Sequence, residues 1–216
     1  MRLTTFSFID RGSYHQSYTG FLELRKRVLV DGLGWNLPVM GEAESDQYDN
    51  PTAIYSIVQV EGRVIAGARA APCNARWDGW SYMLNDADLG LIPGIPQGLL
   101  PKYPKEKTVW ECTRFVSDDN QGTNEDRLQA TRIVVAGLCH LSGGLGARSL
   151  MSLSPAPLGR LLRSFGYNVS IAGDAYICAD DGRRYRPFSM DCDEKVNSDL
   201  VVGHSVQSRE MIALAT

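Results

Sequence analysis

The spacing of apolar residues changes period several times along the chain, and each change marks an element. Residues 2–9 alternate weakly and predict a first strand. Over residues 13–30 the period is helical: Tyr14, Tyr18, Phe21, Leu22, Val28 and Leu29 share one stripe. Residues 31–52 lose the pattern and read as a long acidic loop broken by Gly32, Gly34 and Pro38. Two apolar runs, 53–60 and 63–71, predict strands, and the Glu61-Gly62 pair between them predicts a hairpin. Residues 72–106 are rich in Pro and Gly and read as irregular chain with one short helix near 81–90. A strand at 107–116 precedes a helix at 124–142, whose Leu128, Val134, Val135, Leu138 and Leu141 are expected to face inward. Then come a strand at 148–153, a helix at 156–165 after Pro155, and strands near 168–172, 175–179 and 184–190. The LSGGLGA run at 141–147 lies at a helix end before a strand, the reverse of a phosphate-binding turn, so it reads as a C-cap and connection. Helices alternating with strands around a mixed sheet predict an α/β (α+β) sandwich. One domain is expected over 1–192, and from 193 to 216 a poorly ordered tail without a clear pattern.

Composition narrows the class. The 216 residues suffice for one domain with a proper core, and 44% hydrophobic with 22% charged residues is normal for a globular chain. A net charge of −3 supplies no basic field for nucleic acid. Five scattered cysteines without a CxxC pair suggest reduced cytoplasmic thiols rather than disulfides or zinc. The N-terminus lacks the apolar core of a signal peptide, and no apolar run approaches the about 20 residues that span a bilayer. His15, His140 and His204 have no partner spacing, so no metal site is expected.

The informative residues are charges at apolar positions. Arg25 lies on the buried stripe of the first helix, four residues from both Phe21 and Leu29. A buried guanidinium requires carboxylate partners, and the next segment holds Glu42, Glu44, Asp46 and Asp49 beside Trp35 and Tyr48. A solvated acidic loop and a snorkelling arginine would explain the same composition. Arg69, however, sits inside an apolar strand whose neighbours Gly67, Ala68, Ala70 and Ala71 leave room for a guanidinium. Glu111 lies inside another strand between Trp110 and Cys112, three residues before Arg114. Together these residues predict one shared polar network of the kind that concentrates at functional sites.

Arg25, Trp35, Glu44-x-Asp46-x-x-Asp49, Arg69 and Trp110-Glu111-x-x-Arg114-Phe115 together resemble the signature of the LuxI-type acyl-homoserine lactone synthases, in order and in spacing, over about residues 20–170. The resemblance implies a fold similar to the GCN5-related N-acetyltransferases: a three-layer sandwich with a twisted mixed sheet flanked by helices and split by an acyl channel. It implies an acyltransferase that N-acylates S-adenosylmethionine from an acyl thioester and closes the lactone with release of methylthioadenosine, producing a quorum-sensing signal. S-adenosylmethionine is then a substrate, no cofactor is expected, and the acyl donor is acyl carrier protein or acyl-CoA. Leu29 stands where the family usually has Phe, and Ala87 or Asp88 where it has a second Phe, with Leu84 the nearest apolar residue. An N-acyltransferase of the same fold acting on another amine, or a non-catalytic ligand-binding paralogue, remain alternatives.

On this reading Glu111 is either the base for the donor amine or the partner of a buried arginine. Arg25, Asp46, Asp49, Arg69 and Arg114 complete the catalytic set, with the aspartates holding the cationic donor or the arginines. Trp35, Leu29 and Phe115 are expected at the substrate. Met151 and Ser152 match the family strand that lines the acyl pocket. Ser152 stands where some members carry a threonine linked to 3-oxo chains, though a small residue facing a neighbouring strand explains it as well. Arg148, Arg160 and Arg163 lie around the following helix and are candidates for docking an acidic carrier protein, though ordinary solvated surface explains them equally well.

Overall fold

The computed structural model describes residues 1–120 and 122–203. In chain order the elements are β1 (Arg2–Ser7), a 3₁₀ turn (Phe8–Gly12), α1 (His15–Arg25), a π-helical turn (Lys26–Gly32), β2 (Val39–Met40), β3 (Ala43–Glu44), β4 (Ile54–Val60) and β5 (Arg63–Pro72). They continue with α2 (Met83–Asp88), β6 (Val109–Ser117), α3 (Asn124–Gly144), β7 (Ser149–Pro155), α4 (Leu158–Ser164), β8 (Val169–Ile171), β9 (Tyr176–Ile177), β10 (Arg184–Asp191) and α5 (Ser198–Gly203). One mixed sheet runs in the order β1-β4-β5-β6-β7-β10-β8, with β9 paired to β10. Among the described residues only β6 and β7 of this sheet are parallel; the other pairs are antiparallel.

Helices cover both faces, and so β4 and β5 are apolar almost without alternation. On one face Phe21 and Leu24 of α1 pack with Phe6, Tyr55, Ile57, Val64 and Val116. On the other, Ile133, Val134 and Leu138 of α3 pack with Leu3, Ile54, Val58, Ala66 and Ala68. Both helices approach closely at glycines. A Cβ on Gly67 would stand 2.8 Å from the Phe21 ring, and one on Gly137 would stand 2.4 Å from Ser56 Oγ. Gly67 therefore makes room for the α1 aromatic, not for the Arg69 guanidinium as the strand composition suggests. The result is the expected three-layer sandwich around a mixed sheet.

The feature that positions the site is where this sheet comes apart. β6 and β7 pair only at Val109↔Ser149, Trp110↔Leu150 and Glu111↔Met151. Beyond Glu111 and Met151 the two strands separate and leave a wedge between the halves of the sheet.

Several elements differ from the sequence expectation. The helix expected over 13–30 starts at His15 and widens into the π-turn after Arg25, so that Leu29 still reaches the core at 4% exposure. The acidic loop contains the small hairpin β2–β3. Leu128 is 46% exposed, because the first turns of α3 precede its contact with the sheet, and the buried face begins at Ala130. The strand at 175–179 shrinks to Tyr176–Ile177. Within the segment expected to lack pattern, α5 packs on α3 and buries Val201; residues 204–216 of that tail lie outside the described residues. Among the described residues no helix is long and apolar enough to cross a membrane.

Candidate active site

Three arginines and three carboxylates meet on the α1 side of the sheet. Arg25, fully buried at the end of α1, donates from Nε to Glu44 Oε2 at 2.5 Å and from Nη1 to Asp49 Oδ1 at 2.9 Å. Arg69 on β5 donates to both oxygens of Asp46 at 2.6 and 3.1 Å, and its Nη1 lies 2.8 Å from Asp49 Oδ1. Arg114 reaches Glu44 Oε1 at 3.3 Å and Asp46 Oδ2 at 2.8 Å. Thr113 Oγ1 accepts from Arg69 Nε at 3.1 Å, and the Tyr55 hydroxyl donates to Asp49 Oδ1 at 3.0 Å. The six charges cancel, which is what permits their burial. Burial works against the charges of Arg25, Asp46, Asp49 and Arg69. At Asp49 the charges of Arg69 and Arg25 outweigh it and hold the carboxyl well below the usual range. At Arg25, Asp49 and Glu44 outweigh it and raise the pKa.

Arg114 takes part because of a backbone irregularity. Arg69 pairs with Thr113 but Gly67 with Val116, so one extra residue of β6 lies opposite β5, and Arg114 adopts φ +54°. Strict alternation would turn Arg114 toward α3 with Cys112. The bulge turns it instead to the side of Thr113, and Phe115 packs with the α3 cluster in its place. A bulky residue at positive φ is costly and persists where the surroundings determine it, here two ion pairs.

Glu111 does not have the arginine partner that one of the two sequence expectations gave it. It bonds no arginine: its Oε2 accepts the Met83 N–H at 2.7 Å and its Oε1 the Leu84 N–H at 2.9 Å. The N-cap residue of α2, Tyr82, makes no side-chain cap, so Glu111 caps this helix from across the fold. Burial pushes its carboxyl up to about 7, against the pull of those two N–H donors and of Arg69. Nearby, Asp86 accepts from the Tyr48 hydroxyl at 2.9 Å and from the Ser81 N–H at 3.0 Å, tying the acidic loop to α2.

A cavity of about 700 Å³ lies in the wedge. Its polar end is bordered by Trp35, Asp46, Tyr48, Met83 and Arg114, and its apolar end by Leu138, Leu150, Leu158, Leu162, Phe188 and Met190. Leu29, Phe115, Met151 and Ser152 also line it, whereas Arg25, Asp49, Arg69 and Glu111 stand behind the wall. Ser154 Oγ donates to Ser152 Oγ at 3.0 Å inside the apolar part. Neither Ala87 nor Asp88 lines the cavity; Met83 occupies that side. Arg148, Arg160 and Arg163 are exposed and remote from the network, and Arg163 Nε is held by the Val169 carbonyl at 3.0 Å. Thr113, Tyr55, Asp86, Asp181 and Tyr185 complete the surroundings without having been singled out in the sequence. Tyr55 and Thr113 carried a usable signal, polar groups on strands beside predicted buried charges; Asp181 in a distant turn carried none.

Comparison with known proteins shows the family and the fold. The autoinducer synthase family model matches residues 11–199. An acyl-homoserine-lactone synthase from Acinetobacter nosocomialis is 30% identical over 162 residues, covering 72% of this chain and 82% of that protein. One from Ralstonia solanacearum is 31% identical over 153 residues, 69% of this chain and 70% of that one. Among solved structures, TofI in complex with an inhibitor and MTA superposes with a TM-score of 0.70 at 23% identity, covering 93% of this chain and 96% of TofI. An acyl-CoA N-acyltransferase from Pseudomonas aeruginosa shares the fold more distantly, with a TM-score of 0.54 at 11% identity over 88% of this chain and 99% of that one. The chain belongs to the autoinducer synthase family and is an acyltransferase of the acyl-homoserine-lactone synthase type.

Proposed function

We propose that this acyltransferase joins an acyl group from a thioester to the amine of S-adenosylmethionine and closes the product to an acyl-homoserine lactone, releasing methylthioadenosine. The observation that carries the reading is the single cavity with a charged, tryptophan-walled end and an apolar end in the wedge between β6 and β7. One end suits a cationic amino acid, the other an acyl chain. The fold neighbour BjaI has been solved with SAM and isopentyl-CoA, and TofI with MTA, which supports the same occupants here.

The chemistry has two steps. The donor's α-amine attacks the thioester carbonyl, the C–S bond breaks, and the thiol leaves. The donor's carboxylate then attacks its own carbon next to sulfur and displaces methylthioadenosine, closing the ring. An α-amine titrates at about 7.7–8.0, so a carboxylate poised near 7 is basic enough to take its proton. Glu111 stands behind the wall, so it acts through a water, using lone pairs left free by its two N–H contacts. Asp46 and Arg114 present charge on the wall, while Arg25, Asp49 and Arg69 hold them in place. Ring closure needs mainly a correctly folded substrate, which Trp35 and Leu29 enforce by shape.

At the apolar end Ser154 donates to Ser152, leaving the Ser152 O–H free to bond an oxygen on the acyl chain. Arg148 and Arg160 offer exposed positive charge for docking a carrier protein, with acyl-CoA as the other donor. Mass spectrometry of the medium of an expressing culture tests the reading. N-acyl-homoserine lactones above the host background support it, and another acylated amine in their place points to an N-acyltransferase of different specificity.

A further inference from the structure

Trp35 enters the cavity from the loop after the π-turn, on the α1 half of the molecule, and Tyr185 enters from β10, on the far side of the wedge. Their ring centroids stand 5.9 Å apart. Asp181, in the turn between β9 and β10, joins them. Its Oδ2 accepts the Trp35 indole N–H at 3.0 Å and the Tyr185 hydroxyl at 2.7 Å, while its Oδ1 accepts the Arg183 N–H at 2.9 Å. Both oxygens are thereby committed, and the Trp35 bond spans 146 sequence positions. Burial works against the charge of Asp181, but the Tyr185, Arg183 and Trp35 donors outweigh it and keep the carboxyl ionised at neutral pH, so these bonds are charge-assisted. Asp181 itself does not line the cavity.

We infer that Asp181 is a positioning residue that fixes the indole of Trp35 as the wall of the amine-donor subsite by bonding it to the turn across the wedge. An indole edge held only by ring contacts retains rotation about its side-chain torsions. A carboxylate acceptor removes that freedom before the donor arrives, so the donor meets a preformed wall. Binding of the amine donor should therefore depend on Asp181, whereas binding of the acyl donor at the other end of the cavity should not. The inference rests on the proposed role of S-adenosylmethionine.

The chemistry of the side chain makes the role testable. Asn at this position can offer its one carbonyl oxygen to Trp35 and Tyr185, but its amide N–H₂ then opposes the Arg183 N–H. Asp181→Asn should accordingly fall between wild type and Asp181→Ala. Trp35→Phe keeps a ring and removes the indole N–H.

The measurements are KM for S-adenosylmethionine, KM for the acyl thioester, kcat, and calorimetric binding of S-adenosylmethionine alone, in the single variants and in the Trp35→Phe/Asp181→Ala pair. Asp181→Ala is expected to raise KM and Kd for S-adenosylmethionine about tenfold, as loss of a charge-assisted hydrogen bond on a half-buried group implies, with the acyl KM unchanged within about twofold. The double variant should be no worse than the poorer single one. Equal shifts in both KM values and kcat, or additive effects in the pair, would overturn the inference. Should Asp181→Ala fail to fold, Asp181→Asn and Trp35→Phe carry the same comparison. Wild-type binding of S-adenosylmethionine with unaltered affinity in the variants removes only the positioning role; absence of wild-type binding removes the functional reading as well.

Discussion

Replacing Asp46 by Asn tests the charge network where it is most connected. Asp46 receives two hydrogen bonds from Arg69, at 2.6 and 3.1 Å, pairs with Arg114 Nη2 at 2.8 Å, and Arg25 Nη2 stands 3.8 Å away without another partner. In the variant three guanidinium groups face only Glu44 and Asp49, leaving one uncompensated positive charge in a buried setting. The new amide N–H₂ also points a donor at an arginine. Breaking a buried ion pair from one side costs about 3–5 kcal/mol. For a chain of this size that corresponds to a fall in Tm of roughly 6–20 °C. The freed Arg114 loses its place on the cavity wall, and a misplacement of about 1 Å lowers turnover on the order of 100-fold. Thermal unfolding followed by circular dichroism, with initial rates of methylthioadenosine release well below the melting range, measures both effects. A variant melting within about 2 °C of wild type and turning over within twofold would refute the network as a structural and functional unit.

Other consequences follow from individual groups. Glu111→Gln should slow acylation at neutral pH and recover in part by about pH 9, where more of the donor amine is already free; an unchanged rate–pH profile would remove Glu111 as the base. Its folded pKa is raised to about 7, so the folded state keeps a proton that the unfolded chain has lost, and stability falls as pH rises from the usual glutamate range to about 7. That decline should flatten in Glu111→Gln when denaturant midpoints are compared across the window, and an equal decline in both proteins would contradict the assignment. Reversing Arg148 and Arg160 together to Glu should raise KM for a carrier-bound donor and weaken its salt dependence, as expected for rim charges that steer association. A KM unchanged across salt concentrations would move the docking surface elsewhere.

Much of the fold was legible because it rests on local pattern. The near-continuous apolar runs at β4 and β5 announced strands buried on both faces, and the Glu61-Gly62 turn announced their hairpin. Arg25, Asp46, Asp49 and Arg69 were legible as a network because charges at core positions require one another. What escaped the sequence depends on long-range geometry. The resemblance implies a split sheet, but where β6 parts from β7 has no local marker, since pairing between strands far apart in the chain leaves no periodicity. The bulge that re-aims Arg114 is an offset between two strands, and the sequence of β6 alone reads as unbroken. The contacts of Glu111 were missed because the helix it caps sits in an irregular stretch with no side-chain cap of its own. The meeting of Trp35 and Asp181 joins an early loop to a turn near the end of the sheet, beyond the reach of any periodicity.

Acyl transfer to S-adenosylmethionine is measured by incubating the purified protein with S-adenosylmethionine and a series of acyl thioesters, then quantifying nucleoside and lactone products by liquid chromatography and mass spectrometry. Methylthioadenosine and an acyl-homoserine lactone are expected in equal amounts, both dependent on the thioester and both strongly reduced in the Asp46→Asn protein. Acylation of some other amine, or consumption of the thioester without any methylthioadenosine, would contradict the proposed function.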